Sequence, residues 1–228
     1  STARQAVRYS LRDMDLDKKR ALIPEYTCHS VIDHFLREGY EIFYYPVDRN
    51  LRVKLSEINK LIKKHDISVF LFHPYFGFDT IVEDEKLAFD TKVIYDATQA
   101  MYSDFDYDFC DYKLGSIRKW GPVLDGAYCE KKRGDFKEDF NFEPDWELEK
   151  VMEEASALKT DYMVDGRGEK SGFLSLYSEG LGLIRKRDTI HDMSPKSKLI
   201  QDRMDLDQLK EKRRKNFAHL LAYDGWDK

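Results

Sequence analysis

Lys92-Val93-Ile94-Tyr95-Asp96 decides how the fold is read: three apolar residues follow one another and end on an acid. A short unbroken apolar run suits a strand covered on both faces, as in a parallel sheet flanked by helices. The pattern recurs upstream in Arg20-Ala21-Leu22-Ile23-Pro24 and in Ile67-Ser68-Val69-Phe70-Leu71-Phe72, and Glu41-Ile42-Phe43-Tyr44-Tyr45 is rich in strand-forming residues. Helical spacing fills the intervals. Residues 3 to about 13 alternate apolar and basic positions. Thr27 is placed to cap a helix through Val31, Ile32, Phe35 and Leu36 that Gly39 stops, and Leu55, Ser56, Ile58, Leu61 and Ile62 make another. A weaker helical pattern is expected near residues 81–89. Strands alternating with helices predict an α/β fold with a mainly parallel sheet. Asp96 then sits at a strand's C-terminal end, the edge at which open α/β sheets bind ligands.

Beyond residue 110 the character changes. Tyr112-Lys113-Leu114 and Gly126-Ala127-Tyr128-Cys129 read as short strands flanking Ser116-Ile117-Arg118-Lys119-Trp120. A break near Lys131–Asp135 divides a large domain, residues 1–134, from a helix-rich remainder, residues 135–228. In that remainder Leu148, Val151, Met152, Ala155 and Leu158 mark an amphipathic helix from about 145 to 160. Leu206, Leu209, Phe217, Leu220 and Leu221 mark a last one, with Glu211-Lys212-Arg213-Arg214-Lys215 as a solvated face.

Composition narrows the function classes. The 228 residues are 42% hydrophobic, 36% charged and 14% aromatic, which fits a globular chain. A formal charge of −5, with both signs interspersed, gives no general attraction to nucleic acid or anionic membranes. No stretch reaches the ~20 apolar residues of a membrane helix. Cys28, Cys110 and Cys129 are odd in number and lack disulfide or zinc spacing, which points to packing roles in a reducing, cytoplasmic setting. No metal is expected, because Cys28, His29, Asp33 and His34 lack further ligands at a recognisable spacing. The run Asp104-Phe105-Asp106-Tyr107-Asp108 fails as a calcium loop, since Phe109 stands where glycine is needed and Gly115 where glutamate is needed. There is no Gly-x-Ser-x-Gly elbow.

The main candidate constellation is Asp96 with Lys119. Taken singly, a lysine beside an arginine is usually a surface charge and a strand-end aspartate is often a helix cap. The ordered set Ile23-Pro24-Glu25-Tyr26-Thr27-Cys28, His73-Pro74-Tyr75-Phe76-Gly77, Asp96-Ala97-Thr98-Gln99-Ala100 and Ser116-Ile117-Arg118-Lys119-Trp120 resembles the DegT/DnrJ/StrS family of fold-type-I, pyridoxal-phosphate-dependent sugar aminotransferases. The resemblance covers residues 1 to about 130 and implies a fold-type-I large domain followed by a partial, helix-rich small domain. Met193-Ser194 and Arg213-Arg214-Lys215-Asn216-Phe217 look like helices that follow the lysine in that family.

Carried onto this sequence, the resemblance makes Lys119 the covalent anchor of pyridoxal 5'-phosphate and the proton shuttle. Asp96 would be the partner of the pyridine nitrogen, which lets the ring accept electrons from the substrate carbon. Gln99 would lie near the phenolic oxygen, and Ser116 would donate to the phosphate. Thr2 and Ala3 would open a first helix whose free N–H groups face the same phosphate. Where relatives carry an aromatic ring over the cofactor, this chain has Cys28 followed by His29. The stacking partner is therefore either His29 or a residue outside the motif, and Arg118 is either a phosphate contact or a loop charge. The implied reaction moves an amino group from a donor such as glutamate to a keto substrate, a nucleotide-linked keto-sugar being the family's choice, in a homodimer. Two alternatives stand beside it. One is a protein that keeps the fold as a binding or regulatory module without turnover. The other is a sugar dehydratase, whose relatives replace the lysine by histidine, whereas Lys119 is present here.

Overall fold

In the computed structural model, which describes residues 2–88, 90–103, 105–137, 142–223 and 225, strict alternation along the strands explains how one sheet acquires two cores. The strands are β1 (Arg20–Pro24), β2 (Glu41–Tyr45), β3 (Val53–Lys54), β4 (Val69–Phe72), β5 (Ile81–Val82), β6 (Lys92–Asp96), β7 (Tyr112–Ser116) and β8 (Ala127–Lys131). The helices are α1 (Ala3–Met14), α2 (His29–Arg37), α3 (Leu55–His65), α4 (Trp146–Val164), α5 (Lys170–Lys186), α6 (Pro195–Asp202) and α7 (Leu206–Leu221). Leu22, Phe70, Phe72, Val93 and Tyr95 point to one face, where Leu55, Ile58 and Ile62 of α3 cover them. Ala21, Ile23, Val69, Leu71, Ile94 and Leu114 point to the other, under Val7 and Leu11 of α1 and Phe35 of α2. Side chains alternate with period two along a strand, so both faces must be covered for such runs to be buried throughout.

The six-stranded sheet has the order β2-β1-β4-β6-β7-β8. All of its pairings are parallel except β7 with β8, which is antiparallel. The mainly parallel α/β architecture expected from the sequence is thus present. The chain runs outward from β1 to β2, then returns past β1 to β4, so strand order reverses between β1 and β4. That reversal opens a crevice at the carboxyl ends of the strands.

Local chemistry sets the boundaries. Thr2 caps α1 with a reciprocal box: its hydroxyl accepts the Gln5 N–H, and the Gln5 side chain accepts the Thr2 N–H. Gly39, at φ +82°, ends the α2 segment as expected. Two sequence expectations need correction. Cys28, not Thr27, is the N-cap of α2, without a side-chain capping bond to the helix backbone. Residues 81–89 do not begin as a helix: Ile81 and Val82 pair in parallel with Val53 and Lys54, no helix follows over 83–88, and Phe89 lies outside the described residues. The β-branched pair gains more from this small ladder than from a helix lacking a cap. Asp104, from the rejected calcium-loop motif, and Trp226 to Lys228 also lie outside the described residues.

The remainder of the chain is helical, including α5, which the sequence reading did not assign. Gly180 of α5 lies so close to α4 that a Cβ there would fall 2.7 Å from Met152 Sδ. Glycine at this position therefore lets two helices meet, although it lowers intrinsic helix propensity. Asp145 caps α4 through the Leu148 N–H and receives two hydrogen bonds from Arg187, at 2.8 and 3.0 Å. The Ser194 hydroxyl at the start of α6 donates to buried Asp125, and the Ser197 hydroxyl accepts the N–H groups of Leu124 and Asp125. These bonds fasten α6 to the segment after Lys119. No residue of α7 is buried. Its Arg213 guanidinium lies over the Trp120 ring, 4.7 Å from the centroid.

Candidate active site

Four adjacent parallel strands deliver polar residues to one place. β1 leads to Tyr26, Thr27 and Cys28, β4 to His73, β6 ends in Asp96, and β7 ends in Ser116. With Thr2, Ala3 and Arg4 of the α1 start, and with Gln99, Arg118 and Lys119, they line one cavity of about 390 Å³. This volume lies in the range of small-molecule sites.

Asp96 is buried in the cavity wall. One carboxylate oxygen accepts the Thr98 N–H at 2.9 Å, and the other lies 3.6 Å from His73 Nδ1. Burial pushes the carboxyl pKa up, but the His73 interaction and the Thr98 N–H outweigh it and hold the group below its ordinary value. The site thus favours a buried negative charge, held between Thr98 and His73.

Gln99 is fixed by its neighbour. Its Oε1 accepts the Phe76 N–H at 2.7 Å, so its amide NH₂ remains to donate. Phe76 itself adopts a left-handed backbone, φ 54°, which bulky residues rarely take, and its ring stands exposed at the cavity rim.

Ser116, buried, is followed by a single helical turn, Ile117–Lys119, that presents the exposed Lys119 side chain. This turn is held from both ends. The Ile117 N–H donates to the Gly126 carbonyl, and the Trp120 indole N–H donates to the Thr98 carbonyl at 2.8 Å. Lys119 has no carboxylate partner among the described residues. It stands where the cavity meets an open groove of about 710 Å³ between Gly121–Leu124 and helices α4 and α5. At the α1 start the capping box satisfies Thr2 and Gln5, and helix geometry leaves the N–H groups of Ala3 and Arg4 without intrahelical acceptors.

Of the residues expected from sequence, Lys119, Asp96, Gln99, Ser116, Thr2, Ala3 and Cys28 line the cavity together. His29 does not: it is exposed as the first residue of α2, outside the cavity wall. Cys28 differs from the buried Cys110 in being exposed. Its thiol pairs with the Ser30 hydroxyl at 3.0 Å, which lowers its pKa against the opposing effect of burial, and the charges of Arg4 and Lys119 add to the lowering. Sequence reasoning did not single out His73 or Arg4. For His73 a signal was present, because it follows the Val69–Phe72 strand as Asp96 completes Lys92–Tyr95. For Arg4, on a basic-apolar helix, none was.

No protein-family model matches the chain, and no curated protein matches it. Solved structures do. Ureidoglycine–glyoxylate aminotransferase from Bacillus subtilis is 16% identical over 82% of this chain and 52% of its own, with a TM-score of 0.44. NtdA from Bacillus subtilis with bound cofactor PMP is 15% identical over 71% of this chain and 35% of its own, with a TM-score of 0.49. Sugar aminotransferase CalS13 from Micromonospora echinospora is 15% identical over 57% of this chain and 40% of its own, with a TM-score of 0.45. The chain spans about half the length, or less, of these solved structures.

Proposed function

We propose that this chain is the cofactor-binding part of a fold-type-I, pyridoxal-phosphate-dependent aminotransferase of DegT/DnrJ/StrS type. The observation that carries the reading is the convergence of Lys119, Asp96, Gln99 and Ser116 with the α1 N-terminus on one cavity at the strand ends. When bound, pyridoxal phosphate supplies an aldehyde that links to amines and a ring that accepts electrons from the substrate carbon. The donor set fits such a group. The hydroxyl oxygen of Thr27, on the cavity lining, is buried without a hydrogen-bond partner among the described residues, as expected where a polar ligand supplies one.

Each residue then has a task set by its surroundings. Asp96, kept charged, would hold the ring nitrogen's proton, with His73 orienting the carboxylate. Gln99 would donate its NH₂ on the phenolic oxygen side. The Ser116 hydroxyl and the free N–H groups of the first turn of α1 would hold the phosphate. The Lys119 amine would anchor the cofactor and supply the group that moves the proton at the substrate carbon. Residues 1–134 would be the cofactor-binding large domain and residues 135–228 a helix-rich remainder carrying part of the small domain. A partner subunit completes the site in a cytoplasmic homodimer. Glutamate is the proposed donor and a nucleotide-linked keto-sugar the proposed acceptor.

One observation favours a second reading, a module of this fold without turnover: His29 is exposed off the cavity, so neither it nor an aromatic residue directly after Thr27 covers the ring. Turnover separates the two. Glutamate added to the pyridoxal-phosphate-loaded protein should convert its visible absorbance to that of the pyridoxamine form. A spectrum unchanged by every amino donor tried would favour the module.

A further inference from the structure

The residue after Lys119 joins three parts of the fold. Trp120, half-buried, closes the single turn Ile117–Lys119 by donating its backbone N–H to the Ile117 carbonyl at 2.9 Å. Its indole N–H donates to the Thr98 carbonyl at 2.8 Å, and the ring of Tyr102 packs edge-on against it, the centroids 5.3 Å apart. Thr98 also donates its N–H to Asp96 at 2.9 Å, so this one residue links the Asp96 carboxylate to the Lys119 turn. The third part is α7. Its Arg213 guanidinium stands 4.7 Å from the centroid of the Trp120 ring, within the range of a cation–π contact. Met204, just before α7, lies so close to Gly121 that a Cβ there would run into its thioether. Both contacts fall on the two residues that follow Lys119, although α7 buries none of its own residues. A helix held so lightly shifts at low cost, and the indole meets any shift of Arg213 directly.

We infer that Trp120 is a positioning residue: it sets the turn from which the Lys119 side chain leaves relative to Asp96, and the seat of α7 on its ring, through Arg213, tightens that setting. Lys119 is exposed and carries no ion pair among the described residues, so its direction comes from the turn. A group that must meet a bound partner has to be held within ~0.5 Å of the productive geometry by the residues around it. Filling space would need only a phenylalanine at position 120. The indole adds a hydrogen-bond donor, and its ring is the strongest aromatic partner for a cation. The inference rests on the reading of Lys119 as the cofactor's anchor and goes beyond it, because it makes the alignment of that amine depend on a helix distant in sequence.

Hydrogen–deuterium exchange of the 228-residue chain, without cofactor, reads the coupling. Arg213→Gln should speed exchange of the Trp120 and Gly121 amides, both bonded to the Ile117 carbonyl, by about two- to fivefold, the worth of an exposed cation–π contact, and leave β6 unchanged. Arg213→Lys, which keeps a cation over the ring, should restore the slow rate. Arg214→Gln, which removes the neighbouring exposed charge of the same helix, should exchange as the unmodified chain does. The alignment of the amine is read by two reagents at Lys119. Trp120→Phe keeps a ring but loses the donor to Thr98, so labelling of Lys119 by pyridoxal phosphate and borohydride should fall about two- to tenfold relative to its acetylation by acetic anhydride, which needs no alignment. A thermal melt verifies the fold of each variant. Equal exchange in Arg213→Gln and the unmodified chain, or an unchanged labelling ratio in folded Trp120→Phe, would overturn the proposal. An unmodified chain that takes no label on Lys119 would refute the anchor reading instead, and the exchange measurement would still decide the coupling.

Discussion

Replacing Asp96 by asparagine removes one charge and almost nothing else. The amide keeps the oxygen that accepts the Thr98 N–H at 2.9 Å, has nearly the same volume, and relieves the cost of burying a carboxylate against the loss of the charge's interaction with His73. Stability should therefore change little. The catalytic consequence should be large, because the buried carboxylate is the only partner proposed for the ring nitrogen's proton. Breaking a buried, hydrogen-bonded charge pair costs about 3–5 kcal/mol. At ~1.36 kcal/mol per decade, this corresponds to a fall of roughly two to four decades in the amino-transfer step if the full interaction is realised in the transition state. Stopped-flow absorbance under single-turnover conditions, with saturating glutamate, measures that step, and a thermal melt verifies the fold. A rate within threefold of the unmodified protein, at an unchanged melting temperature, would refute the role given to Asp96.

Two further predictions concern stability. His34 is buried in α2, and burial, assisted by the Arg8 charge, pushes its pKa down from 6.5 to about 4. The unfolded chain binds a proton below pH 6.5 that the folded chain refuses. Stability from this group should fall as pH drops from 6.5 to 4, by up to about 3 kcal/mol, and level off below; urea titrations across this range should show the slope, and His34→Gln should remove it. Asp13, at the end of α1, is fully buried and accepts the Tyr112 hydroxyl at 2.5 Å, the Lys131 ammonium at 2.9 Å and the Lys137 N–H at 2.6 Å. Asp13→Ala strands these donors and should cost about 3–5 kcal/mol by urea denaturation, whereas a loss under 1 kcal/mol would contradict the network's role.

The sheet was legible because alternating burial leaves a continuous apolar signature in Val69–Phe72 and Lys92–Tyr95, and because an acid closing such a run falls at the ligand-binding edge. The 81–89 segment misled because a two-residue ladder is fixed by a distant partner, Val53–Lys54, that local periodicity does not register. Helix α5 carries Gly172, Gly180 and Gly182, which lower helix propensity, while the benefit of Gly180 lies in its approach to Met152 of another helix, which local sequence does not register. Asp96, Gln99, Ser116 and Lys119, which line the cavity together, were singled out through short ordered motifs. His29, one option for covering the ring, lies off the cavity, because the sequence does not say which way the first turn of α2 faces. His73 stood in a quoted motif at the end of its strand without being given a role, whereas Arg4 emerges only when the helix start meets the strand ends in space.

The central claim is that Lys119 anchors pyridoxal phosphate. Incubating the protein with pyridoxal phosphate, reducing with borohydride and mapping the labelled peptide tests it most directly. The label should fall on Lys119, within the peptide containing Ser116 and Trp120, and Lys119→Ala should lose it. Stoichiometric label on any other lysine, or unreduced labelling of the Lys119→Ala protein, would contradict the account.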